Sequence, residues 1–292
     1  MKIVQGDQVE WKRGLEYRGG TFHFRNLMEG RAGTIGNFQL SMGRNDKDFM
    51  SPRHRHNFEQ FRCQLEGELE FGRDGTMKPG MCGYFPEGAH YGPQTSQMDA
   101  TTIVLQFGGA SGSGYLSRAE VFRGMQELST TGTFKDGIYR RNEGEPGKKN
   151  RDGYQAIWEH VNGQEMEYPK PRYPAPIMMD ESHFAWTAAN DEPGVSEKLL
   201  GQFTERRNEA AFVKVAKGAT HILHPRSVYF CKSGKGKIGS DDIRFCSTIH
   251  LEDGEKATVT ASEDMVFIRM GLPDLSGLEM NRPQSATAMA AE

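Results

Sequence analysis

Long apolar runs, clusters of basic residues and paired cysteine motifs are all scarce in this chain, and each scarcity removes a class of function. The longest apolar stretches, such as Thr102 to Phe107, fall far short of the ~20 residues a membrane-crossing helix needs. The opening MKIVQGDQVEWKRG has one early lysine and no apolar segment of the kind that starts a signal peptide, so a cytoplasmic location is expected. With 36 Lys and Arg against 39 Asp and Glu, a formal charge of -3 and no run of five basic residues, no nucleic-acid partner is expected. The four cysteines, Cys63, Cys82, Cys231 and Cys246, show no C-x-x-C spacing. Four cysteines alone leave disulfides open, but free buried thiols in a reducing compartment are the simpler expectation. No G-x-S-x-G, H-E-x-x-H or calcium-loop pattern occurs, and the glycine-rich 108–117 segment lacks the ending of a phosphate loop.

What stands out is SPRHRHNFEQFRCQLEGELEFG. Side chains alternate across a strand, so His54 and His56 share one face, and Gln60 stands four residues further along that face. Imidazole nitrogens with a nearby oxygen donor suit a divalent first-row metal. The alternation puts Arg62 and Gln64 inward as well, and Glu59 outward unless the strand start is irregular. A guanidinium is costly to bury unpaired, so Arg62 either meets a carboxylate inside the fold or meets an anionic substrate.

Around these residues the chain resembles the cupin superfamily, whose first motif runs H-x-H, a short gap, a Glu or Gln ligand, and a glycine seven positions beyond it. Both His56 and Gly67 select Gln60 by that spacing. The second cupin motif, P-x-G followed by a histidine, is matched by GYFPEGAHYGPQ, with one departure: the histidine, His90, stands one place early, where Tyr91 takes the expected position. The resemblance thus implies metal ligands His54, His56, Gln60 and His90, with Tyr91 in reserve as ligand or hydrogen-bond donor. It also implies an all-β fold of two cupin jelly-roll barrels joined by a helical connector, and a homodimer.

The organisation expected along the chain is a barrel over 1–110, a helical and loop connector over 111–170, a second barrel over 171–275 and a flexible tail over 276–292. In the connector, Ser117 and Glu120 form a capping-box signal before Val121, Met125 and Leu128 at helical spacing. A second helix should start near Asp152, turn Ile157 and Val161 inward and stop at Asn162-Gly163. The charged RRNEGEPGKKNRDG between them reads as a solvated loop. Laying Gly234 on Gly67 puts His221 at the place of His54, but Leu223 and Ser227 where His56 and Gln60 stand, and laying Gly254 on Gly88 puts Lys256 at the place of His90. The second barrel is therefore expected without metal, and the fifteen methionines as gap-filling core.

Neutral ligands leave a divalent ion close to its full charge, so an anionic, chelating small molecule is the expected substrate. The resemblance and this chemistry lead first to a dioxygenase cleaving an enol, diketone or aromatic diol on iron, manganese, nickel or copper. The second expectation is a non-redox isomerase, cyclase or lyase of a sugar acid or keto acid, in which zinc also serves and Glu59 or Tyr91 carries a proton beside Arg62. The third is a binding protein without turnover.

Overall fold

The computed structural model describes residues 1–14 and 22–281. The chain divides into two units, one formed by 11–178 with 277–292, the other by 1–10 with 179–276. Both are all-β sandwiches of open sheets, so the expected barrels are not closed rings of strands.

In the first unit the large sheet has seven strands in the order Ile177–Asp180, Met81–Phe85, Glu59–Glu66, Ala100–Phe107, Phe38–Asn45, Phe22–Glu29 and Lys12–Arg13. A four-stranded sheet accompanies it, made of Met50–Ser51, Gln94–Thr95, Leu69–Glu70 and Thr76–Met77. Alternation sorts the two central strands. Phe61, Ile103, Leu105 and Phe107 are buried on one face, and the Phe61 ring packs 5.5 Å from Tyr84 and 5.4 Å from Phe107. Gln60, Arg62, Gln64, Thr102 and Gln106 alternate onto the opposite face, which is therefore polar.

The second unit repeats the plan. Its seven-stranded sheet runs Lys2–Gln5, Ser247–Leu251, Ser227–Ser233, Met265–Gly271, Glu209–Val215, Val195–Gln202 and Thr187–Ala188, with a four-stranded partner. Here Val213, Tyr229, Ile249, Leu251 and Phe267 join one apolar cluster that fills the interior. The repeat reaches single atoms. A Cβ at Gly67, whose φ is +65°, would lie 2.1 Å from the Asp99 carbonyl oxygen, and one at Gly234, φ +82°, would lie 2.1 Å from that of Asp264. Only glycine allows either chain crossing.

Several expectations need correction. The first ten residues belong to the second unit, because Lys2–Gln5 pairs along Ser247–Leu251. The connector is part of the first unit, where Leu116, Val121, Leu128, Tyr139, Ile157 and Trp158 build a core with Phe58. Its helices form as their signals predict: α1, Arg118–Leu128, carries the full Ser117/Glu120 capping box, and α2, Gly153–Asn162, is capped by Asp152 and ends at Gly163 in the left-handed conformation. The charged loop between them is more ordered in plan than its composition suggests, since Gly132–Lys135, Ile138–Arg141 and Asn150–Asp152 pair as a three-stranded sheet. Cys63 and Cys82 are direct partners across adjacent strands and form a disulfide, whereas Cys231 and Cys246 are buried thiols outside that bond. Register brings the first two together, and spacing in sequence does not reveal it. Burial pushes the Cys231 thiol up to about 12. Of the expected flexible tail, Asn281 hydrogen-bonds to Gly112, Ser111 and Gln164, and 282–292 lie outside the described residues.

The glycine crossings yield a first test. Gly67→Ala should lose at least ~2 kcal/mol of stability in urea denaturation, because both the dihedral and the Asp99 carbonyl oppose a methyl group. Gly163→Ala, where a Cβ meets nothing within 4 Å, should lose less.

Candidate functional site

The polar inner face of the first unit closes around one buried cation. Arg62 projects from Glu59–Glu66 and donates from Nε and Nη2 to Gln60 Oε1 at 2.8 and 2.7 Å. It also donates to Gln94 Oε1 at 3.0 Å and to the Tyr91 hydroxyl at 3.1 Å. Its guanidinium carbon lies 4.5 Å from the Phe85 ring centroid, a cation–π distance. Gln60 thereby turns its oxygen to Arg62 and its Nε2 to the Tyr91 hydroxyl, 3.1 Å away.

Tyr91 is brought in by a short antiparallel bridge: His54 N–H donates to Tyr91 O at 3.1 Å and Tyr91 N–H to His54 O at 2.9 Å. The bridge directs the two side chains to one place, with ring centroids 4.6 Å apart. His54 Nδ1 lies 2.6 Å from the Pro52 carbonyl oxygen, which can only accept, so that nitrogen carries the proton. In the neutral ring Nε2 is then the bare nitrogen, and it accepts from the Tyr91 hydroxyl at 3.1 Å. His56 stands beside them, its ring 4.9 Å from that of His54 and stacked at 4.3 Å on Phe58.

His90 does not join this group. Its side chain is exposed, and its carbonyl is held by Arg53 Nη2 at 2.8 Å. Arg53 also reaches Asp74 Oδ2 and the Gly92 carbonyl, and Gly92 N–H donates to the same carboxylate. These bonds pin the 90–92 backbone from outside and leave Tyr91, 1% exposed, pointing in. The one-place offset seen in the motif is therefore real, and the phenol takes the inward position that the resemblance gives to a histidine. Partial burial, then the charges of Arg55, Arg53 and Arg73, lower the pKa of His90 below 6.5. Glu59, 1% exposed, likewise stands apart from the inward set. A Cβ on Gly109 would lie 2.9 Å from Glu59 Cγ and 2.7 Å from a Glu87 carboxylate oxygen, so the two acids meet there. The phase that brings Gln60 inward turns Glu59 away.

His54, His56 and Arg62 line a cavity of about 160 Å³. Phe22, Phe24, Phe49, Phe58, Tyr115 and Tyr154 supply its apolar walls, Gln39, Gln94 and Gln106 its amides, and among the described residues no Asp or Glu lines it. Arg118 and Val121 of α1 and Tyr154 of α2 belong to the same wall, which sequence periodicity alone assigned to structural helices.

Among the described residues no three His, Cys, Asp or Glu side chains form a metal-ready group. Two imidazoles converge, one with its proton tied to a backbone carbonyl in the manner usual for metal-bearing histidines. The phenol of Tyr91 adds an oxygen, and Gln60 Oε1 is occupied by Arg62. This set fits a divalent ion through His54, His56 and Tyr91, with Gln60 holding the neighbours.

In the second unit His221, buried, places Nδ1 2.6 Å from Glu192 Oε2, and Leu223 is packed in the apolar cluster. Lys256 is exposed. Arg269 is almost fully buried and pairs with Glu197 and Glu209 while donating to His224 Nδ1 at 2.7 Å. His221 thus meets Glu192 and His224 meets Arg269, with the two imidazole rings 6.0 Å apart.

No protein-family model matches the chain, and no curated protein matches it. Solved structures do. A "putative dioxygenase" from Nostoc punctiforme superposes with a TM-score of 0.63 at 12% identity, over 98% of this chain and 86% of that one. Oxalate decarboxylase of Bacillus subtilis, studied for its Mn(II) centres, superposes at 0.55 and 16% identity, over 94% of this chain and 78% of that one. Another oxalate decarboxylase structure gives 0.55 at 14% identity, covering 100% and 81%. At such identities the likeness concerns fold: this chain has the two-domain cupin fold.

Burial, then the charge of Arg269, lowers the pKa of His224 below 6.5. The unfolded chain then binds its proton at higher pH than the folded one, so this contribution to stability is complete above about 6.5 and is lost as pH falls through the lowered folded value. Melting temperature should therefore drop between pH 7.5 and 5.5, and His224→Gln should shrink that drop. An unchanged drop in the variant would count against this assignment.

Proposed function

We propose that the first unit is the catalytic one and that it holds a divalent metal ion through His54, His56 and Tyr91, where it acts on a small anionic, chelating substrate. The observation that carries this reading is the tautomer-fixed His54, with its bare Nε2 turned toward Tyr91 beside His56, bordering a cavity whose lining among the described residues holds no Asp or Glu. The ion, when bound, supplies Lewis-acid polarisation of a coordinated substrate oxygen and, if iron, manganese, nickel or copper, a redox partner for dioxygen.

The side chains do the rest. Arg62 brings a buried positive charge to the cavity, and an anionic oxygen placed there would meet it. Gln94 and Gln60, both neutral, hold the guanidinium in place. Before an ion binds, Tyr91 carries a proton at Oη between His54 and Arg62; as a metal ligand it would give up that proton and bind as a phenolate. The rings of Phe58 and Tyr154, 5.3 Å apart, limit water next to His56.

Oxygenative cleavage of an enol, diketone or aromatic diol is the first reading. Support comes from the aromatic walls, which suit a flat unsaturated body, and from the dioxygenase among the fold neighbours. The second reading, a non-redox isomerase or lyase passing through an enediolate, is favoured by the Arg62 cation next to the Tyr91 hydroxyl. It uses the same residues without dioxygen.

Metal analysis and oxygen uptake test the proposal. Protein expressed with metal supplied should retain an ion through purification, His56→Ala should lose it together with activity, and His224→Ala should keep both. Oxygen uptake on a panel of diketones and catechols identifies the first reading, and turnover without oxygen identifies the second. An ion that survives His56→Ala would place the centre elsewhere and overturn the proposal.

A further inference from the structure

The strand register measures how far the site extends beyond its metal-facing end. Arg62 pairs with Val104, Val104 with Ser41, and Ser41 with Asn26, so the Arg62 strand and the strand Phe22–Glu29 are three spacings apart. At ~4.8 Å per spacing that is about 14 Å. Phe24 stands on the Phe22–Glu29 strand, and the Arg118 guanidinium carbon lies 3.4 Å from the centroid of its ring. Arg62 and Arg118 therefore line the same cavity, one from the Glu59–Glu66 strand and the other from α1 above Phe24. Between them the floor is bare: a Cβ on Gly43 would meet nothing nearer than the Thr102 carbonyl oxygen at 3.9 Å. Gly43 has no positive φ, so the backbone does not demand glycine there, and the missing side chain leaves room above the sheet. The volume of about 160 Å³ compares with the ~150 Å³ of an apolar protein cavity that accepts benzene.

We infer that this slot selects an elongated, flat acid: one anionic end at Arg62 and the histidines, an aromatic or conjugated body over Gly43, and a second anionic or strongly accepting group at Arg118. The inference rests on the anionic-substrate reading above and narrows it to a class. Arg118 becomes a specificity-determining residue supplied by α1, and Gly43 sets the length the slot accepts. A compact dianion such as oxalate fills one end only, so the class differs from that named by the oxalate decarboxylase neighbours.

Calorimetric binding of three probes, oxalate, benzoate and terephthalate, tests this on the full chain, with and without added metal. Terephthalate should bind tightest, since it alone of the three carries a carboxylate at each end of an aromatic body, and oxalate weakest. Arg118→Met, which keeps a helix former and an apolar stem over Phe24, should weaken terephthalate about tenfold, corresponding to one charge-assisted contact, and leave benzoate unchanged. Gly43→Val suits a strand and should preserve the melting temperature while weakening both aromatic acids about tenfold and oxalate hardly at all. Equal affinity for the three probes, no binding of any, or an Arg118→Met effect shared by benzoate would overturn the inference. Length-selective binding in a protein that neither holds metal nor turns over substrate would leave the slot standing and remove only the enzyme reading. Metal retention without length selectivity would do the reverse.

Discussion

A guanidinium buried inside a sheet sandwich must be held by several acceptors at once, and the geometry around Arg62 follows from that constraint. Gln60 gives up its oxygen to the cation, Gln94 adds a second amide, and the hydroxyl of Tyr91 completes the set. Because Gln60 is turned in this way, its amide nitrogen faces Tyr91, and the Tyr91 hydroxyl in turn donates a hydrogen bond to His54 Nε2. Removing the cation would free Gln60 to rotate and would loosen the phenol, so a change at Arg62 would propagate to the histidines two strand positions and one loop away. The same constraint brings a positive charge to the cavity with neutral amides as supports, and among the described residues no carboxylate lines it.

The two units show what such a constraint changes. They share a sheet order and a glycine crossing with the same 2.1 Å approach to an Asp carbonyl. In the second, the place of Arg62 in the motif alignment is taken by Tyr229, which sits in the apolar cluster, and its buried arginine, Arg269, comes from a different strand with Glu197 and Glu209 as partners. A charge matched by carboxylates inside a filled core serves the fold. Arg62 is instead held by neutral amides and lines a cavity.

Much of this was legible in the residues. The period-two alternation through Gln60, Arg62 and Gln64 predicts which side chains share the polar face, and the Ser117/Glu120 and Asp152/Gly163 signals locate both helices. Counting also exposed the offset at His90. What counting could not supply was the consequence, because the choice between His90 and Tyr91 depends on Arg53 and Asp74 pinning the backbone from outside, 16 or more residues away in sequence. The Cys63–Cys82 bond and the placement of the first ten residues were hidden for the same reason: both depend on strand register between distant segments. With a disulfide present, the expectation of a reducing compartment loses its premise. The helices were read as structural, and so they are, yet Arg118 and Tyr154 on them also wall the cavity, which a periodicity of apolar residues cannot report.

The central claim is that His54, His56 and Tyr91 form one metal centre. X-ray absorption spectroscopy of the metal-loaded protein, together with its Tyr91→Phe variant, addresses it most directly. The account predicts a shell with two imidazole nitrogens and a phenolate oxygen, the phenolate contribution disappearing in the variant. A spectrum with three imidazoles, or one identical in the two proteins, would contradict it.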